Sequence, residues 1–300
     1  MAANAASAAS SPGPGRDVSD PAAPAPRPSL FSRELLLRVV SALVMAPLAV
    51  AVAYYGDWPF AIFWGLAGII ILREWTELVA PGERRSILAI GILAIILGAG
   101  LADSGRFVGG VLVVLIGPLA GAVFAPAGRR GWMITGMAYA GALVIATIIL
   151  RSDANYGLAA IILLFAVVWA TDIAAYFAGR LIGGPKVLPA VSPKKTWSGA
   201  IGGLLAAVGA AAAVVYFFAL PDPRGVLAMA VLLSVVSQAG DFFESALKRR
   251  FNVKDASQLI PGHGGLLDRL DGFVPAVIVA ALIGLLRSHF EAPGAGLVVW

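Results

Sequence analysis

The chain is expected to fold as an all-α, polytopic integral membrane protein with about nine transmembrane helices. Three observations lead there. Its 300 residues are 59% apolar, against roughly 45–50% in soluble domains, and its mean hydropathy is +0.88. The apolar residues fall in runs of about 20, enough to cross a ~30 Å hydrocarbon core as helix. The charged residues, only 13% of the chain, gather between those runs.

Residues 1–30 are rich in Ala, Pro and Ser with almost no large apolar side chains. Such a segment buries too little surface to offset its ordering entropy, so a disordered tail is expected. It lacks the basic stretch and directly following apolar core of a signal peptide, so the first apolar run reads as a retained anchor. Residues 31–300 read as one transmembrane domain. Its spans are expected near 38–56, 59–76, 86–102, 107–126, 132–150, 156–178, 198–220, 225–240 and 272–290. The run 225–240 is the weakest of these because it ends at Asp241. Trp58, Phe60, Phe63 and Trp64 suit an interfacial belt, and the Gly/Ala-rich 199–213 stretch suits a helix–helix contact face.

Basic residues orient this arrangement, because Lys and Arg accumulate on the cytoplasmic side. With the N-terminus inside, the inner segments take Arg16, Arg27, Arg33, Arg38, Arg73, Arg84, Arg85, Arg129, Arg130, Arg180, Lys186, Lys194, Lys195, Lys248, Arg249, Arg250, Lys254 and Arg269. Only Arg106, Arg151, Arg224 and Arg287 fall outside. The expected location is therefore the inner (plasma) membrane, with the N-terminus and both large polar loops, 180–197 and 241–271, in the cytoplasm. The net charge of +5 reads as orientation and affinity for anionic lipid, not as nucleic-acid binding. The absence of cysteine excludes disulfides and thiolate metal sites.

The densest polar segment, Ser237–Gly272, is where chemistry is expected. If the eighth span continues as helix, Asp241, Glu244, Ser245 and Lys248 share one face at i, i+3, i+4 and i+7. Carboxylates without His or Cys favour a hard cation such as Mg²⁺, and the neighbouring cations suit phosphate. The same pattern would also serve a solvated juxtamembrane helix with i, i+4 ion pairs. Downstream, the turn Pro261-Gly262-His263-Gly264-Gly265 offers backbone N–H groups that can cradle phosphate oxygens. It leads to Asp268, Arg269 and Asp271 at the start of the ninth span. Upstream, Asp172 lies inside an apolar run, where a lone carboxylate is costly unless paired or set in a wet cavity. It shares a helix face with Tyr176 and Arg180. The strip Ser192-Pro193-Lys194-Lys195-Thr196-Trp197-Ser198 supplies ammonium and hydroxyl groups suited to a triphosphate, without being a P-loop.

The spacing Ser245-x-x-Lys248-Arg249-x-x-x-x-Lys254-Asp255, then Pro261-x-His263-Gly264-Gly265-x-x-Asp268-Arg269-x-Asp271, resembles the signature of the phosphatidate cytidylyltransferases. Residues 169–180 and 192–203 resemble that family's upstream elements, in the same order. The resemblance implies that CTP and phosphatidic acid from the inner leaflet yield CDP-diacylglycerol and pyrophosphate. It implies dependence on Mg²⁺, with K⁺ as a candidate second, monovalent ion. Asp241 and Asp268 become the leading metal ligands, supported by Asp271, Asp172 and Glu244. Lys194, Lys195, Lys248 and Arg249 would neutralise phosphate charge, with Asp241, Asp268, Lys248 and Arg249 as the catalytic set. Ser192, Thr196, Tyr176, Ser245, His263, Gly264, Gly265 and Arg269 would complete the substrate contacts. Membrane lipid and a second copy of the chain are the other candidate partners.

Two other readings stand beside this one. A CTP-dependent enzyme acting on another lipid, such as a polyprenol kinase or an archaeal-type lipid cytidylyltransferase, would carry much the same polar site. A secondary transporter should instead scatter its polar residues near the midplane on broken helices, and Asp172 alone favours it.

Overall fold

The computed structural model describes residues 33–82, 85–253, 256–257 and 264–300, with side chains from residue 43 onward. The Ala/Pro/Ser-rich tail, Lys254, Asp255 and His263 lie outside the described residues, as do Pro261 and Gly262 of the glycine turn.

All regular structure among the described residues is helical. The elements are α1 (Arg33–Tyr55), α2 (Asp57–Val79), α3 (Arg85–Asp103), α4 (Phe107–Ala122), α5 (Arg130–Arg151), α6 (Gly157–Leu181), α7 (Trp197–Phe217), α8 (Pro223–Arg250), α9 (Leu267–Leu270), α10 (Phe273–Arg287) and α11 (Pro293–Val298). Each apolar run expected from the sequence falls on one of these helices. Helices α3, α6, α7 and α8, together with Ala127–Arg151, which contains α5, are long and apolar enough to cross a membrane. Leu43–Tyr55, α4 and α10 are shorter apolar helices. The short α11 carries no period that would have marked it in the sequence.

Helix α5 is the buried centre of the bundle, packing against α2, α3, α4 and α10. Helix ends are set by local chemistry. The Thr196 side chain caps α7 by accepting from Gly199 N at 3.1 Å. Asp222 caps α8 by accepting from Arg224 N at 3.0 Å, with Pro223 in the first turn, where its missing N–H costs nothing. Asp153 ties two elements at one bundle end. Its Oδ1 accepts from Asn155 N and Tyr156 N before α6, and its Oδ2 accepts from Ala295 N in α11 at 2.7 Å. At that same end Arg151 donates to the carbonyls of Ala53 and Tyr54, closing the C-terminus of α1.

Helices α6 and α7 make the most extensive contact in the molecule, and small residues permit it. A Cβ on Gly203 would lie 2.8 Å from Thr171 O, and one on Gly199 would lie 2.8 Å from Ala175 O. With little hydrophobic force between helices in lipid, such close backbone approach is a main source of association. Gly203→Leu is expected to push α7 off α6 and destabilise the fold by about 1–3 kcal/mol. Thermal unfolding in detergent would register this as a lowered midpoint, and an unchanged midpoint would show the contact to be slack. Because α7 begins directly after Lys195, the same shift would displace that lysine.

Candidate active site

Helix α8 continues without a break through the predicted weak span to Arg250. That continuity puts Asp241, Glu244 and Lys248 on one stripe, as their spacing requires. Helix α10 comes close enough to extend the stripe. A Cβ on Gly240 would meet Asp271 O at 2.4 Å, and one on Gly272 would meet Ser237 Oγ at 2.5 Å. Two glycines therefore interlock α8 with the entry to α10 and set Asp271 beside Asp241.

Lys195, from the loop between α6 and α7, forms an ion pair with Asp241. Its ammonium also lies 4.7 Å from the Phe242 ring centre. That loop is shaped by a single bridge between Lys186 and Thr196 and by Val187 N donating to Lys195 O at 3.1 Å. Lys248 Nζ lies 2.7 Å from Glu244 Oε1 and 2.8 Å from Asp268 Oδ1. The Glu244 carboxyl is buried, with this ammonium beside its Oε1. Asp268 is more fully engaged, for it also accepts from Ala256 N at 3.0 Å and Gly265 N at 2.8 Å. Gly264, at φ +81°, makes the left-handed turn that leads into the Gly265 amide.

Charge follows from this geometry. Burial disfavours ionised Asp268, but hydrogen bonding with Glu244, Lys248 and the Gly265 N–H outweighs it and holds the carboxyl below its ordinary value. Asp271 is opposite in character. Burial, reinforced by the adjacent Asp241 carboxylate and then by Glu244 and Asp172, pushes it well above the usual range. Asp172 is exposed on the surface of α6, and it feels the charges of Asp241, Lys195 and Arg269. Behind the carboxylates, Trp75, Tyr139 and Phe243 pack ring against ring. Tyr139 Oη reaches Asp271 O at 3.4 Å.

The structure thus brings together Asp172, Lys195, Asp241, Glu244, Lys248, Asp268, Arg269 and Asp271. Gly264 and Gly265 join them through Asp268. Other expected residues stand apart. Thr196 is buried and its hydroxyl serves the α7 cap. Tyr176 is exposed, and its hydroxyl accepts from Arg180 Nη1 at 2.8 Å; Asp172 does not take that arginine. Lys194 and Arg249 are exposed at the rim, while Ser192 and Ser245 are half-buried. One residue was missed altogether. Glu74 of α2 is buried and accepts from Ser257 Oγ, Leu266 N and Leu267 N. A carboxylate just after an apolar run was the available signal, akin to the one that marked Asp172.

Among the described residues, no three acidic or histidine side chains already stand at metal-ligating spacing. The donor chemistry nevertheless suits a hard cation. It is all oxygen, and it sets Asp241, Asp271 and Asp172 within electrostatic reach of one another.

Comparison with known proteins decides the lineage. Residues 36–286 match the model of the cytidylyltransferase family. The chain belongs to that family. A phosphatidate cytidylyltransferase of Brucella suis is 40% identical over 269 residues, spanning 87% of this chain and 97% of the relative. Proteins of the same name from Haemophilus influenzae and Bacillus subtilis are 45% and 44% identical over 130 and 126 residues, 42% of this chain in each case. They cover 45% and 47% of those relatives. As a family member, the chain is a nucleotidyltransferase built on membrane-type helices.

Proposed function

We propose that this cytidylyltransferase converts CTP and phosphatidic acid to CDP-diacylglycerol and pyrophosphate. The observation that carries the proposal is the meeting of Lys195 with Asp241, which joins the cationic strip to the carboxylate stripe at one end of the bundle. The phosphatidate phosphate is already anionic, so no strong base is needed. Its oxygen attacks the α-phosphorus of CTP, the bond from that phosphorus to the β-bridging oxygen breaks, and pyrophosphate leaves. The difficulty is to bring two polyanions together, and positioned cations meet it. Lys195 and Lys248, with Lys194, Arg249 and Arg269 nearer the rim, would hold the phosphate oxygens. Lys195 and Lys248 are preset by their carboxylate partners and would exchange part of that pairing for substrate.

Asp241, Asp271 and Asp172, with Glu244 and Asp268 in support, are the residues that would hold Mg²⁺, with K⁺ as a second candidate ion. When bound, a divalent ion offsets charge on the transferring phosphoryl group. In this reading nine helices span the membrane with the N-terminus inside, following the distribution of basic residues. The site then opens at the cytoplasmic face of the inner membrane, where CTP arrives from water and the lipid from the inner leaflet.

Purified full-length protein given labelled CTP and phosphatidic acid is expected to form a CDP-lipid in a Mg²⁺-dependent manner and to lose activity in chelator. Turnover only with a polyprenol or an archaeal-type lipid would reassign the acceptor. No turnover with any lipid would overturn the proposal.

A further inference from the structure

Glu74 is a buried acidic group that the reaction outlined above does not use. It is only 4% exposed, just after the apolar run of α2. A carboxylate in such a place costs several kcal/mol unless its lone pairs are met. Here they are met from far along the chain. Oε1 accepts from Ser257 Oγ at 2.6 Å and from Leu266 N at 2.9 Å, and Oε2 accepts from Leu267 N at 2.7 Å. The seat is tight, since a Cβ on Gly265 would lie 2.9 Å from either oxygen.

The donors decide what this contact does. Leu266 N and Leu267 N lie at the start of α9, whose single turn cannot pair its own first amides. Asp268, in the same turn, accepts from Gly265 N and Ala256 N and pairs with Lys248. Residues 256–257 and 264–268 are therefore gripped from two directions, by Asp268 from within and by Glu74 from α2. An apolar residue at 74 would suit burial, but it would leave the Leu266 and Leu267 amides without this acceptor. What it could not do is fix the backbone that carries Asp268.

We propose that Glu74 is a positioning residue, a carboxylate latch that fixes Ser257, Leu266 and Leu267 against α2 and so sets Asp268 and Lys248 for phosphate transfer. Its kinetic consequence rests on the reading of this site as the nucleotidyl-transfer centre; its structural consequence does not. A misplacement of about 1 Å can cost about 10²-fold in rate, and loss of such outer supports at metal sites typically costs about 10–100-fold.

The test compares Glu74→Ala, Glu74→Gln and Ser257→Ala with the parent as full chains in lipid nanodiscs. Amide hydrogen exchange and steady-state kinetics with CTP and phosphatidic acid are measured on each. Glu74→Ala removes all three acceptor contacts. Glu74→Gln keeps the Oε1 pair and points an N–H₂ at Leu267 N, and Ser257→Ala removes one donor from the loop side. Exchange at Leu266 and Leu267 is expected to rise in Glu74→Ala, less in Glu74→Gln, with α5 and α10 unchanged. The kcat is expected to fall by about 10–100-fold in the same order, with KM for CTP moving less than about threefold. Parental kcat in Glu74→Ala, or exchange that rises evenly through α2, α5 and α10, would overturn the latch. If Glu74→Ala does not fold, the Glu74→Gln and Ser257→Ala pair carries the same two readouts. A parent protein inactive on every lipid, with exchange still rising locally at Leu266 and Leu267, would leave the latch standing and remove the catalytic reading instead.

Discussion

Asp241→Asn is expected to abolish CTP-dependent CDP-lipid formation, by at least about 10²–10³-fold, in a protein that inserts and purifies normally. The asymmetry between function and fold follows from its neighbours. The Asp241 side chain is 19% exposed and pairs with Lys195, beside the carboxylates of Asp271 and Asp172. Asparagine keeps the shape but removes the carboxylate that opposes ionisation of the buried Asp271, which relieves repulsion in the resting protein. The unfolding midpoint should therefore hold or rise as activity disappears. Such an exchange of stability for function marks a site strained in order to bind something cationic. Labelled-CTP turnover and thermal unfolding on the same preparation check both halves. Near-normal turnover would remove Asp241 from the site.

The helices could be read from composition and run length because membrane burial makes each span announce itself locally. The α8 stripe could be read for a related reason: i, i+3, i+4 and i+7 spacing is a property of one helix. Contacts between distant segments leave no such trace. Glu74 meets residues 183–193 positions away, and nothing in the residues around it names those partners. Thr196 shows the converse problem. Its place beside two lysines suggested a phosphate ligand, yet the hydroxyl caps α7, because Ser and Thr just ahead of a helix satisfy its first amides. Asp268 sits between these cases. Its presence in the cluster followed from the signature, but its engagement by two backbone amides and a lysine could be seen only in three dimensions.

That engagement separates a second large effect from the first. Lys248→Met is expected to abolish activity and also to destabilise the protein, by about 3–5 kcal/mol. Lys248 joins Glu244 and Asp268, whose side chains are only 3% and 7% exposed. Removing the ammonium leaves the ionised Asp268 buried beside Glu244 without its counter-ion, and the cost is that of charge stranded away from water. Methionine is close to lysine in length, so lost packing contributes little. The double variant Lys248→Met/Glu244→Gln should regain much of the stability, because an amide at 244 can donate to Asp268 in place of the lost ammonium, yet it should remain inactive. Lys248 would then be needed both to neutralise the buried pair and to hold phosphate, and Glu244→Gln restores only the first. Thermal unfolding of the parent, the single variants and the double variant, with turnover measured on each, resolves the two roles. If the double variant recovered activity along with stability, Lys248 would be a structural counter-ion alone, and phosphate binding would fall to Lys195 and the rim residues.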